Sequence, residues 1–244
     1  MRRFFRSLVV LCAPALIAPA VSQATPINYG DFLGSAPGEV DFLQVTEDSA
    51  TDATPLYDAP IHLTNKLVFT PLGFAASSTS GSSDTTNGVL TLRVRADAGA
   101  FLNYILIREI GDYTLFGSGG GQTSANILGA ASALDLTPGT HGTMNAGLSY
   151  TPSPVFTLPS NSFAEFSGLA VINLSGLGIS EIFLTLDNSL FTTSEPGTTS
   201  FIQKKNISIE AADHFIPEPA TIALLIIGAS LSLRRRRIAA VHVR

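Results

Sequence analysis

Carboxylates are the only side chains in this sequence numerous enough to suggest acid–base chemistry. Glu109 and Asp112, in Arg108-Glu-Ile-Gly-Asp-Tyr113, flank the end of an apolar run, and Glu165, Glu181 and Asp187 are spread over later runs. Two carboxyls meeting across neighbouring strands could hydrolyse a glycosidic bond, one as acid and the other as base or nucleophile. A second acidic group, Glu39, Asp41, Glu47, Asp48, Asp52 and Asp58, has no basic residue within it. Its oxygens would suit calcium, but the D-x-[DN]-x-[DN]-G spacing is missing, so solubilising charge is the plainer reading and no cofactor is expected. His62, His141, His214 and His242 stand singly, without the i, i+4 pairing of a zinc helix. No serine lies in G-x-S-x-G, since Gly147-Leu-Ser-Tyr-Thr151 fails at its last position. The glycine run from Gly117 to Gly121 lacks the spacing and the Lys-Ser/Thr of a phosphate loop. With no tryptophan and five tyrosines, sugar stacking would fall to loop residues such as Tyr57 and Tyr150.

The elements that must position these residues read as strands. In Val89-Leu-Thr-Leu-Arg-Val-Arg-Ala96, Leu90, Leu92, Val94 and Ala96 share one face and Thr91, Arg93 and Arg95 the other. Similar short runs occur at Val40 to Thr46, Ile61 to Thr70, Phe101 to Ile110, Tyr113 to Phe116, Leu169 to Leu174, Glu181 to Leu186 and Ile207 to Glu210. About eight strands punctuated by turn residues predict an all-β chain, a single antiparallel β-sandwich or jelly roll. Asn126 to Leu136 fits one short helix, because Ile127, Leu128, Ala131 and Leu134 cluster at helical spacing. Ala75 to Gly88, Gly117 to Ser124 and Tyr150 to Ser162 read as loops. No fixed-period repeat is present, which argues against solenoids and propellers.

Both ends differ from this middle. Arg2, Arg3 and Arg6 precede the apolar stretch Ser7 to Ala20, and Ser22-Gln23-Ala24 offers small residues at the positions a signal peptidase reads. Residues 1–24 therefore predict a secretory signal cleaved after Ala24, implying signal peptidase and the Sec translocon as partners. Cys12, the chain's single cysteine, lies inside that segment, so the predicted mature protein has no thiol chemistry and no disulfide. Residues 25–216 carry six basic and eighteen acidic side chains, a net charge of −12 against −5 for the whole chain. Such a surface repels phosphate backbones and argues against a nucleic-acid partner.

At the other end stands Pro217-Glu218-Pro219, then uncharged residues 220–233, then Arg234, Arg235, Arg236 and Arg237. The prolines hold the entrance extended, and Glu218 complements the N-terminal end of a helix dipole. Fourteen helical residues span about 21 Å, short of a hydrocarbon core of about 30 Å, a mismatch that arginine side chains reaching back to the interface can absorb. The basic cluster puts its own side in the cytoplasm and the signal segment puts residues 25–216 across the membrane. This arrangement over residues 217–237 resembles the PEP-CTERM sorting signal of Gram-negative bacteria. The resemblance implies that an exosortase recognises Pro217, Glu218 and Pro219 and processes the passenger during export, with Arg234 to Arg237 as the cytoplasmic stop. Residues 217–244 then form a temporary inner-membrane tether.

The sequence thus predicts an exported surface or extracellular-matrix protein, non-enzymatic and adhesin-like or associated with exopolysaccharide. A glycan hydrolase using Glu109, Asp112, Glu165 or Glu181, and a permanently anchored periplasmic protein, are the alternatives.

Overall fold

The alternation at Val89 to Ala96 becomes the middle of a long strand in the computed structural model, with Leu90, Leu92 and Val94 fully buried and Arg95 exposed behind them. The structure describes residues 24–119, 121–137, 141–158 and 162–212. Ala24, the predicted cleavage site, is the first of these. The signal segment before it, the Pro217-Glu218-Pro219 motif, residues 220–233, Arg234 to Arg237, His214 and His242 lie outside the described residues.

The described residues form fourteen strands and no helix. They are β1 (Ile27–Phe32), β2 (Asp41–Asp48), β3 (Ile61–Leu63), β4 (Lys66–Phe69), β5 (Ala75–Thr79), β6 (Ser83–Arg95), β7 (Tyr104–Gly117), β8 (Ser124–Asp135), β9 (Thr143–Gly147), β10 (Ser149–Thr151), β11 (Val155–Thr157), β12 (Ser162–Asn173), β13 (Glu181–Thr193) and β14 (Thr198–Ala212). One sheet has the order β1-β2-β6-β13-β8-β11, with β9 also on β8; the other has β10-β12-β7-β14-β4-β3, with β5 also on β14. Every pairing is antiparallel. The inward residues of both sheets make one core, with Phe42, Phe69, Phe74, Tyr57 and Phe166 among its largest members. The all-β, two-sheet architecture is as the period-2 pattern predicts.

Several local expectations are overturned. Asn126 to Leu136 is not a helix but most of β8, where Ala125, Ile127, Ala131 and Ala133 point inward while Leu128 and Leu134 are exposed. An unbroken register from Ile182–Asp135 to Thr193–Ser124 decides the conformation there, overriding the helical preference of alanine. Ala75 to Gly88 is not a loop: it holds β5, the start of β6 and a tight turn over residues 80–82 between them, with Ser80 and Gly81 at φ 52° and 89° and Ser82 N–H donating to Thr79 O. The stretch Tyr150 to Ser162 includes the end of β10 and all of β11. Tyr104 to Ile110 and Tyr113 to Phe116 belong to a single strand, β7, which continues through Gly111, while Phe101 to Asn103 precede it. Ile61 to Thr70 folds back on itself as β3 and β4, turning at Thr64 with φ 51°.

Candidate functional site

The five candidate carboxylates are distributed over three surfaces. Glu109 points between the sheets and is completely buried. Asp112, an odd number of residues further along the same strand, faces the outside of the second sheet and is ion-paired with Lys205. Glu165 is exposed and sits directly opposite Asp112 on β12, so these two are brought together. Glu181 and Asp187 lie on the outer side of the first sheet, Glu181 paired with Arg93. In the Asp112–Glu165 pair Glu165 is exposed on the sheet face while Asp112 is buried and held by the Lys205 ammonium, which is not the pair of carboxyls flanking a sugar that glycoside hydrolysis needs.

The acids from Glu39 to Asp58 do not converge either. Glu39 accepts from the backbone N–H groups of Ser35 and Ala36, Asp41 pairs with Arg95, and Asp58 accepts from Leu72 N–H. Among the described residues no three His, Cys, Asp or Glu side chains cluster as metal ligands. His62 packs edge-on against Phe32 and Phe42.

What the structure assembles instead is a polar seam inside the sandwich. Lys204 and Glu109 are both buried and form an ion pair there, and the Tyr150 hydroxyl donates to the same Glu109 oxygen at 2.8 Å. The Lys204 ammonium also lies over the rings of Phe74 and Tyr150, 5.4 and 6.0 Å from their centroids. Burial holds the Lys204 pKa below the ordinary lysine value, with the Glu109 charge acting against that shift. Burial, then the Glu109 charge and hydrogen bond, lift the Tyr150 phenol well above the usual range, so it remains a donor.

A β-bulge puts Lys204 in this position. Lys204 pairs with Gly111 and Asn206 with Ile110, leaving Lys205 as an extra residue. Before the bulge the even residues Ser200, Ile202 and Lys204 face inward; after it the odd residues Ile207, Ile209 and Ala211 do. On the other edge of β14, in the gap between β5 and β4, Lys204 N–H donates to Phe74 O at 3.0 Å. Gly111 is glycine because a β-carbon there would collide with the Gln203 carbonyl and the Phe166 ring.

The seam continues across the sandwich. Asn188, fully buried on β13, donates from Nδ2 to the Tyr57 hydroxyl at 3.2 Å, and that hydroxyl donates to Gly88 O at 2.9 Å. Tyr57 packs edge-on to Phe74 at 5.1 Å. Burial is the main reason the Tyr57 phenol also stays protonated. Beyond it Glu47, buried on β2, accepts from Leu56 N–H at 2.7 Å, Tyr57 N–H at 3.0 Å and the Tyr29 hydroxyl at 2.6 Å. Two oxygens in the seam, Glu109 Oε1 and Asn188 Oδ1, are buried without a hydrogen-bond partner. Sequence reasoning singled out Glu109 and Tyr150 but gave no role to Lys204 or Asn188. For Lys204 the available signal was a lysine at a point where strand alternation breaks.

Two surfaces border this interior. A groove of about 440 Å³ opens where the chain crosses from β9 to β10 and back to β11, lined by Leu128, Gly129, Leu148, Tyr150, Pro154 and Asp187 among others. On the outer face of the second sheet, Phe163, Thr114 and Phe201 form one cross-strand row, and Glu165, Asp112 and Gln203 form the next. Phe163 and the nearby Phe116 are 70% and 67% exposed, large values for rings on a sheet.

No protein-family model matches the chain, and no curated protein does. Among solved structures, the enzymatically active domain of tailspike protein 4 from bacteriophage CBA120 aligns with 76% of this chain and 19% of its own, at 12% identity and a TM-score of 0.19. The chain therefore spans about a fifth of that protein's length, and a likeness at this score bears on neither fold nor activity.

Proposed function

We propose that this is an exported, non-enzymatic surface or extracellular-matrix protein whose sandwich adheres to a neutral polysaccharide through the outer face of its second sheet. Its sorting would follow from the signal segment ending at Ala24 and from an exosortase acting at Pro217-Glu218-Pro219, with Arg234 to Arg237 as the stop. The observation that carries the adhesive reading is the open row of Phe163, Thr114 and Phe201 beside the polar row of Glu165, Asp112 and Gln203. Exposed rings give the apolar faces of sugars a place to rest, and the exposed Glu165 carboxylate and the Gln203 amide accept and donate to hydroxyls, while Asp112 stays buried against Lys205. A passenger of net charge −12 favours a neutral polymer over an acidic one.

The test is retention of the exported protein on insoluble neutral polysaccharides, comparing wild type with Phe163→Ala and Phe116→Ala. Both rings are solvent-exposed, so melting temperature should stay near that of wild type while retention falls at least several-fold. Equal retention by all three proteins would refute the assignment of this face. Mass spectrometry of the mature C-terminus tests the sorting half separately: an end near Pro217 to Ala220 supports processing, and an intact Arg234 to Arg237 refutes it.

A further inference from the structure

From the interior seam we infer that Lys204 and Asn188 become joined by an intramolecular isopeptide bond, with Glu109 as the proton-transferring group. The inference is independent of what the outer face binds.

The required partners are both buried in the space between the sheets. β13 passes from the first sheet into β14 of the second through residues 194–197, with Asn188 before that connection and Lys204 after it, both pointing inward. They share neighbours along two routes. On one side the Tyr57 hydroxyl holds Asn188 Nδ2, and its ring abuts Phe74, over which the Lys204 ammonium lies. On the other, the Tyr150 hydroxyl binds Glu109, the partner of Lys204, and borders the same small space over Gly129 as Asn188 Oδ1. A β-carbon built on Gly129 would be 2.5 Å from that hydroxyl and 2.8 Å from that oxygen. Asn188 Oδ1 and Glu109 Oε1 are each buried with no partner, a costly arrangement for a resting state.

Within such an apolar enclosure the ammonium can pass a proton to Glu109, leaving a neutral amine beside a carboxylic acid. The amine nitrogen then attacks the side-chain carbonyl carbon of Asn188, while Glu109 hands its proton to Oδ1 and takes one from the attacking nitrogen. Collapse of this adduct breaks the bond from carbon to Nδ2: Glu109 gives its proton to the departing nitrogen and takes back the one on Oδ1 as the carbonyl re-forms. A primary amine and a primary amide thus become one secondary amide and one ammonia, with no oxidant or cofactor. The groove beside Tyr150 gives the ammonia an exit.

The full chain should be expressed in a Gram-negative host, and the folded product weighed against the mass calculated for its own determined ends. The expected mass is lower by one ammonia, about 17 Da. After denaturation, chymotrypsin, which cuts after Phe191 and Phe201 between the two residues, should release the Asn188 and Lys204 peptides still joined. Glu109→Gln should retain the ammonia and give separate peptides. Wild-type protein with the full calculated mass, or with separate peptides, overturns the inference without recourse to any variant. A joined pair in Glu109→Gln would overturn the role of Glu109.

Discussion

Replacing Glu47 with leucine removes the acceptor that ties the connection between β2 and β3 to the core. In the native protein this carboxylate accepts from the N–H groups of Leu56 and Tyr57, residues that are 2% and 0% exposed, and from the half-buried Tyr29 hydroxyl. Leucine leaves two buried N–H donors without partners, each costing about 1–3 kcal/mol. The Tyr29 hydroxyl can turn to water and adds little, and the apolar replacement returns about 1 kcal/mol through burial. The net loss is about 3 kcal/mol, which for a domain of this size lowers the melting temperature by roughly 6–12 °C. Glu47→Gln retains one acceptor oxygen but turns an amide NH₂ toward other donors, so it should fall between wild type and leucine. Urea unfolding followed by circular dichroism is the assay, with the midpoint expected to fall while the slope is unchanged. A leucine variant unfolding at the wild-type midpoint would show that these N–H groups find other partners, and the reasoning from buried donors would fail.

Gly111→Ala should prevent correct folding or cost about 3 kcal/mol or more, because its methyl meets both a backbone carbonyl and the Phe166 ring; soluble yield and melting temperature report it. Asp135 gives a pH dependence. Burial raises its pKa, but the N–H groups of His141 and Thr137 and the His141 ring more than offset that and bring it down to about 2 from 3.8. A carboxyl depressed in the folded state stabilises above its unfolded pKa, and that contribution is lost as pH falls from about 4 to about 2. The melting-temperature gap between wild type and Asp135→Asn should therefore be widest above pH 4 and close toward pH 2. A gap that stays constant through this range would refute the assignment.

Where one face is greasy and the other wet, the sequence pattern was sufficient. Val89 to Ala96 needed only a period of two, and the same logic located most of β2 but less than half of β12 and β13 and only Ile207 to Glu210 of β14. Segments built from small residues were illegible: β8 alternates alanine inward with leucine outward, so its hydrophobic periodicity points to the wrong element, and only its pairing with β13 decides. The site was half legible. Glu109 could be named because acids beside apolar runs attract notice, and its separation from Asp112 by an odd number of residues would have put the two on opposite faces had β7 been read as one strand. Lys204 was hidden by the bulge, which reverses the inward parity of β14 partway along. Asn188 was hidden because a buried asparagine in a Ser- and Thr-rich strand looks like a surface residue until a facing sheet is supplied.

β14 is an inner strand, held along β7 on one side and by β5 and β4 on the other, and it ends at Ala212, just before the tail. Tension applied to the C-terminus along this strand loads ladders on both flanks in shear, so many hydrogen bonds share the force rather than opening one after another. A hold on that end would grip the molecule through a strand laddered on both sides, so that release requires many hydrogen bonds to break together.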